Sequence, residues 1–281
     1  MYFLFDNFDL KGEIQIQNEK VVVEGEYKLI QFHPSYTYED FVRGIVAESK
    51  GDKIEYKNVN KILAEFADKA LLNKSEKYIL IIDEINRANL SSVLGELIYA
   101  LEYRYYYNDS EEKQKEAEVE SMYALKDENG GESRILKLPE NLYIIGTMNT
   151  ADRSVGHIDY AIRRRFAFVN VLPDGVKLKE KLGDDFKDTL FNKVKTLFTT
   201  DNFNTNSSHL SSEFHSKDVA LGHSYFIQHY EKDEKGEDDK SKPIDFNLRL
   251  EYEIKPILME YVKDGVLKET AIQVINDLKV E

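Results

Sequence analysis

Two carboxylates, Asp83 and Glu84, stand side by side where the aliphatic run of residues 79–82 stops in "YILIIDEINRANL". Four consecutive apolar residues suit a buried strand, so the pair emerges at a strand tip. Phosphoryl transfer from a nucleotide needs such a pair. One carboxylate assists a Mg²⁺ ion on the phosphates, and the second polarises the attacking water. The same residues also suit an acidic helix N-terminus, where carboxylates favour the helix dipole.

A second polar cluster ends another apolar run, in "IIGTMNTADRS". Asn149 is an amide at a strand end and could orient a water molecule near a terminal phosphate. Asp152, Arg153 and Ser154 follow it, and Asp152 or Ser154 would also serve as a helix N-cap. Three consecutive arginines, Arg163, Arg164 and Arg165, precede "FAFVNV" in a chain that is otherwise acidic. Guanidinium groups reaching across a subunit boundary can neutralise charge on a transferred phosphoryl group, although surface ion pairs explain them as well. The histidines, at 33, 157, 209, 215, 223 and 229, lack metal-ligand spacing, and "LGHSYF" reads as packing.

These residues need a frame to hold them. Residues 59–73 carry Ile62, Leu63, Phe66, Ala70 and Leu71 at helical spacing, and a helix from about Ser91 carries Val93, Leu94, Leu97, Ile98 and Leu101 on one face. Strands at 78–82, at "NLYII" and at "FAFVNV" alternate with these helices, which predicts an α/β fold with a parallel sheet covered on both sides. In such sheets, chemistry gathers at the carboxyl ends of the strands. The first 25 residues alternate weakly, as in a hairpin or irregular insertion, and polar residues 104–138 read as an exposed insertion. Beyond Pro173 the pattern becomes mostly helical at 176–199 and 247–278, interrupted by polar residues 200–216 and by "EKDEKGEDDKSK". The expected domains are 1–172 and 173–281.

Composition narrows the classes. With 38 basic and 52 acidic residues the net charge is −14, which opposes nonspecific binding to nucleic-acid phosphates by this chain alone. The absence of cysteine excludes disulfides and Cys-ligated metals. No apolar run approaches the roughly 20 residues of a membrane span, and the start lacks a basic signal-peptide region. The expectation is a cytoplasmic protein with no membrane contact.

In order and spacing, "IQFHPSYTYEDFVRGI", "LIIDEINRANLSSVLGELIYALE", "NLYIIGTMNTADRSVGHIDYAIRRRFAF" and "ALGHSYF" resemble the AAA+ domain of McrB-like GTPase subunits of modification-dependent restriction systems, over residues from about 28 to 259. The resemblance implies an AAA+ P-loop-type parallel sheet followed by a helical lid. It makes Asp83 and Glu84 the Walker B pair, with Asp83 assisting Mg²⁺ and Glu84 as general base. Asn149 becomes the sensor-1 residue, Asp152 and Arg153 join the signature loop at the nucleotide, and Arg164 and Arg165 act in trans as finger residues. It further implies GTP (or ATP) as nucleotide, a hexameric homo-oligomeric ring, a McrC-like nuclease partner, and DNA reached indirectly through a further domain or that partner.

One part of the family pattern is missing. A P-loop needs G-x-x-x-x-G-K-[ST], and this chain contains no Gly-Lys dipeptide. The chain reads as beginning after that loop, with its strand lost and a sheet edge exposed. Several charge-assisted hydrogen bonds, each worth roughly 1.5–3 kcal/mol, would be missing, so nucleotide binding by these residues alone is expected to be very weak. Three functions follow: a motor fragment of a GTP-driven translocating restriction subunit, a non-hydrolysing ring component that lends its arginines to a neighbour, or an AAA+ ATPase chaperone outside restriction.

Overall fold

The computed structural model describes residues 2–5, 25–126, 130–149 and 158–280. It divides into two compact units, Met1–Asn170 and Val171–Glu281.

The first unit is built on a five-stranded sheet. Its strands are β1 (Tyr2–Phe5), β2 (Gly25–Gln31), β5 (Lys77–Asp83), β8 (Leu142–Met148) and β9 (Ala167–Asn170), in the order β2-β5-β8-β1-β9. Strands β2, β5 and β8 are parallel, with Gln31 opposite Asp83 and Ile82 opposite Gly146, so their carboxyl ends finish together. The α/β expectation holds for this core. Strand β1 is antiparallel to both β8 and β9, which therefore run in the same direction. The exposed sheet edge expected from a lost strand is not found beside β8: β1 pairs four residues with β8 on one side and four with β9 on the other.

One sheet face carries the core, with Leu80, Ile82, Leu142 and Ile144 buried. The opposite face, with Ile79, Ile81, Tyr143 and Ile145, is only half-buried among the described residues, so coverage is less complete than two buried faces would require. The helical pattern at 59–73 forms α2 (Ile62–Leu72), which buries Leu63, Phe66 and Ala70. The helix expected from Ser91 is broken into α3 (Leu90–Leu94) and α4 (Leu97–Glu102). Gly95 lies at the break with φ +52°, a conformation few other residues adopt, and a Cβ there would lie 3.2 Å from the Tyr38 ring.

Two hairpins project from this unit. The first follows α1 (Tyr38–Phe41) and pairs β3 (Arg43–Lys50) with β4 (Lys53–Asn60), an element the sequence pattern did not reveal. The second lies within residues 104–138. After α5 (Glu111–Glu116), which buries nothing, β6 (Val119–Lys126) pairs with β7 (Glu132–Leu136), and Val119 and Leu136 join the core.

The second unit begins with α7 (Gly175–Leu182) and α8 (Asp188–Lys195), continues through the short α9 (Ser216–Val219) and α10 (Phe246–Arg249), and ends with α11 (Lys255–Lys263) and α12 (Ile272–Asn276), around a core that includes Phe186, Phe198, Phe226 and Ile254. The segment "EKDEKGEDDKSK", expected as a polar break, contributes a hairpin of β10 (Tyr230–Lys232) and β11 (Asp238–Pro243). Among the described residues, no helix is long and apolar enough to cross a membrane.

Candidate active site

Asp83 is the last residue of β5, and its carboxylate is held from both sides. The Thr147 hydroxyl on β8 donates to Oδ1 at 2.5 Å, and the Gln31 amide on β2 donates to Oδ2 at 3.3 Å. Each donor comes from a different neighbouring strand, so the parallel register places one carboxylate between two polar side chains. This is a direct result of strand order.

Glu84 then turns the chain. It adopts φ 53°, ψ 43°, a left-handed conformation that costs a non-glycine residue free energy. Its N–H donates to the Thr147 hydroxyl at 3.3 Å, so one hydroxyl serves both members of the acidic pair. Its carboxylate lies 3.2 Å from Arg87 Nε. Glu84 Oε2 is nevertheless buried without an aligned hydrogen bond, so the attraction is one of charge and not of donor geometry. Ile85 anchors this turn by packing on Gly146, where a Cβ would sit 2.8 Å from Ile85 Cδ1. A strand residue with no side chain is what allows the turn to lie against β8.

Asn149 follows β8 directly, and its carbonyl accepts a hydrogen bond of 3.4 Å from the buried Asn86 amide. The segments bearing Glu84 and Asn149 therefore meet through Thr147 and Asn86. Asp152, Arg153 and Ser154 lie outside the described residues. The helix that ends on the first of the three arginines, α6 (Tyr160–Arg163), is capped by Asp159, whose side chain accepts from the Ile162 N–H at 2.8 Å. A hydrogen bond from Ser91 holds the Asp159 carboxyl below the usual carboxylate range, helped by that backbone bond. No described contact joins Arg164 or Arg165 to Asp83, Glu84 or Asn149 within the chain; both arginines approach Glu102 on α4.

Gln31, Thr147, Asn86, Arg87 and Glu102 were not singled out in the sequence. Thr147 had a visible signal, a hydroxyl within an otherwise apolar strand two residues before Asn149. Glu102 had none, because its partners lie about sixty residues further on.

The resemblance implies a Mg²⁺-nucleotide at this site. The carboxylate half fits, since Asp83 and Glu84 lie together at a strand tip. Among the described residues no group of three or more His, Asp or Glu forms a protein-only metal cage. The phosphate cradle is not supplied by these residues.

Residues 14–166 match the family model for the AAA domain (dynein-related subfamily). The chain is 34% identical over 252 residues to the type IV methyl-directed restriction enzyme EcoKMcrB subunit of Escherichia coli (strain K12), covering 86% of this chain and 48% of that protein. It is 32% identical over 161 residues to the type II restriction enzyme BsuMI component YdiS of Bacillus subtilis (strain 168), covering 50% of this chain and 46% of that protein. The chain thus spans about half the length of each relative. With the acidic pair at the end of β5, Asn149 after β8 and a family match across both strands, the chain belongs to the AAA domain family, dynein-related subfamily, and is McrB-like within it.

Proposed function

We propose that this chain is the nucleotide-hydrolysing part of a restriction-system AAA+ subunit. Asp83 assists Mg²⁺, which would supply charge neutralisation on the phosphates. Glu84 accepts the proton of the attacking water, and Asn149 orients that water. Asp152 and Arg153 extend the same site. Arg164 and Arg165 are the pair from which a neighbouring subunit's nucleotide is served, and the second unit acts as the helical lid. GTP is the expected nucleotide, with ATP as the alternative, and hydrolysis would drive DNA translocation with a McrC-like nuclease in a hexameric ring.

One observation carries this reading: the Thr147 hydroxyl ties Asp83 and the Glu84 backbone to the strand that delivers Asn149. A hydroxyl bridging two strand ends gives the carboxylates a fixed position relative to the amide, as positioning catalysis requires.

A second reading, a ring component that does not itself hydrolyse nucleotide, is favoured by the direction of β1. Tyr2 pairs with Met148 and Phe5 with Ile145, so β1 runs away from the end of the sheet where Asp83 lies. Phe5, where β1 ends, therefore lies toward the opposite end of the sheet from Asp83 and Asn149.

Because the chain covers about half of its relatives, the test uses the protein expressed from its whole open reading frame. GTP and ATP turnover are compared for the wild type and Glu84→Gln. The expected result is a fall of roughly 10²–10⁴-fold, the usual share of general acid–base catalysis. Unchanged turnover would remove Glu84 from this role, and a wild type inactive on both nucleotides would favour the second reading.

A further inference from the structure

The three arginines have the same side chain, yet the fold gives each a different environment. The Arg163 guanidinium lies over the Phe168 ring at 4.5 Å. Arg165 is almost wholly buried, its side chain 8% exposed. Its Nη2 lies 2.7 Å from Glu102 Oε2, its Nη1 donates to the Ala161 carbonyl, and its Nε is buried without a partner. Arg164 is 67% exposed, and its Nη2 stands 3.9 Å from the same Glu102 oxygen. One carboxylate thus binds the inner arginine tightly and the outer one loosely.

Glu102 ends α4, which belongs to the helix pair that follows the acidic turn. The arginine-bearing turn is fastened to that pair at two points, by Ser91 of α3 to Asp159 and by Glu102 of α4 to Arg165. A buried arginine cannot reach another subunit without breaking a short ion pair and leaving charge uncompensated. An exposed one at 3.9 Å gives up little when it leaves, because a long pair at the surface is weak.

On the reading above, we infer that Glu102 is a positioning residue that sorts the arginine pair. It fixes Arg165 as an internal anchor and leaves Arg164 as the guanidinium that reaches a neighbouring subunit's nucleotide phosphates. The expectation that both arginines act in trans is thereby narrowed to Arg164.

Two measurements test this. Phenylglyoxal labelling of the folded chain, read by mass spectrometry, is expected to modify Arg164 at least tenfold faster than Arg165, and Glu102→Ala is expected to bring the two rates together. Equal rates in the wild type would overturn the assignment. On the whole-frame protein, Arg164→Ala is expected to lower kcat by roughly 10³-fold or more with KM nearly unchanged, the size of an arginine-finger loss. Glu102→Ala is expected to cost roughly 10²-fold in kcat through misplacement, with partial rescue by Glu102→Asp and no further loss when combined with Arg164→Ala. If Glu84→Gln abolishes turnover and Arg164→Ala does not, this inference fails while the proposed function stands. If the wild type shows no turnover, the proposed function fails, and the labelling result still decides how the arginines are sorted.

Discussion

The Thr147 hydroxyl lies 2.5 Å from Asp83 Oδ1 and also receives the Glu84 N–H at 3.3 Å. A single oxygen on β8 thus fixes the carboxylate of one acidic residue and the backbone of the next. Thr147→Val keeps the shape and removes the hydroxyl, leaving the Glu84 N–H without this acceptor. The expected cost is about 1–3 kcal/mol of stability, together with a fall in nucleotide turnover by the whole-frame protein. Thr147→Ser should recover most of both. Chemical denaturation and steady-state turnover check it, and full activity in the valine variant would show that the bridge is dispensable.

Gly146 and Ile85 make a close fit that can be tested on the chain alone. Gly146→Ala puts a methyl group 2.8 Å from Ile85 Cδ1 and 3.1 Å from Cγ2. Overpacking of this kind costs about 1–3 kcal/mol. Ile85→Ala makes room, so the double variant should be more stable than the sum of the single effects predicts. A double-mutant cycle on unfolding free energies measures this coupling, and strict additivity would show that the two side chains do not meet.

Arg43 is buried and ties the second hairpin to the first. Its guanidinium donates to the carbonyls of Tyr123, Arg134 and Ile135, and its Nε donates to Asn60 at 2.7 Å. Arg43→Met leaves three carbonyls without this donor, so destabilisation of about 3 kcal/mol or more is expected. Lysine should rescue poorly, because one ammonium cannot reproduce the fork. Hydrogen exchange should speed up in residues 119–126 and 132–136 before the central sheet is affected. Uniform loss of protection across the unit would argue that the hairpin is not held separately.

What the sequence revealed followed from periodicity and local chemistry. The apolar runs before Asp83 and Asn149 marked two buried strands, and these pair in parallel as expected. Helix α2 was legible from its spacing, whereas the break at Gly95 required knowing that the Tyr38 ring lies against it. The hairpin of β3 and β4 escaped notice because neither strand alternates cleanly; Ile45, Ile54 and Tyr56 lie on its exposed face, so no buried stripe announced it. The sorting of Arg164 from Arg165 was also invisible, since it depends on Glu102, a residue distant in sequence and unremarkable on its own helix.

His223, in the motif "LGHSYF", gives the second unit a pH dependence. Burial holds its imidazole pKa below the ordinary 6.5, while Asp174 pulls weakly the other way, and Nδ1 is buried without a partner. The unfolded chain therefore binds a proton near pH 6.5 that the folded chain binds only at lower pH. Its contribution to stability is complete above about pH 6.5 and is lost as the pH falls below that value. Melting temperatures measured from pH 7.5 to 5.5 should fall more steeply for the wild type than for His223→Phe. Parallel curves would assign the acid sensitivity to other groups.

Glu84 pairs a strained backbone with a carboxylate whose Oε2 has no aligned donor, and this makes it a site where stability and activity should oppose each other. A residue at φ 53° loses roughly 1–2 kcal/mol relative to one that accepts the left-handed region, and its partly buried charge contact with Arg87, which lacks an aligned hydrogen bond, offsets only part of that cost. Asparagine tolerates this conformation better than glutamate, so Glu84→Asn is expected to stabilise the chain by about 0.5–1 kcal/mol while removing the proposed base. Strain retained at a position where a substitution relieves it indicates that the side chain is kept for another reason. Denaturation of the chain and turnover of the whole-frame protein should therefore move in opposite directions. If Glu84→Asn destabilises the fold, the carboxylate is part of the structural framework, and the argument linking its strain to hydrolysis fails.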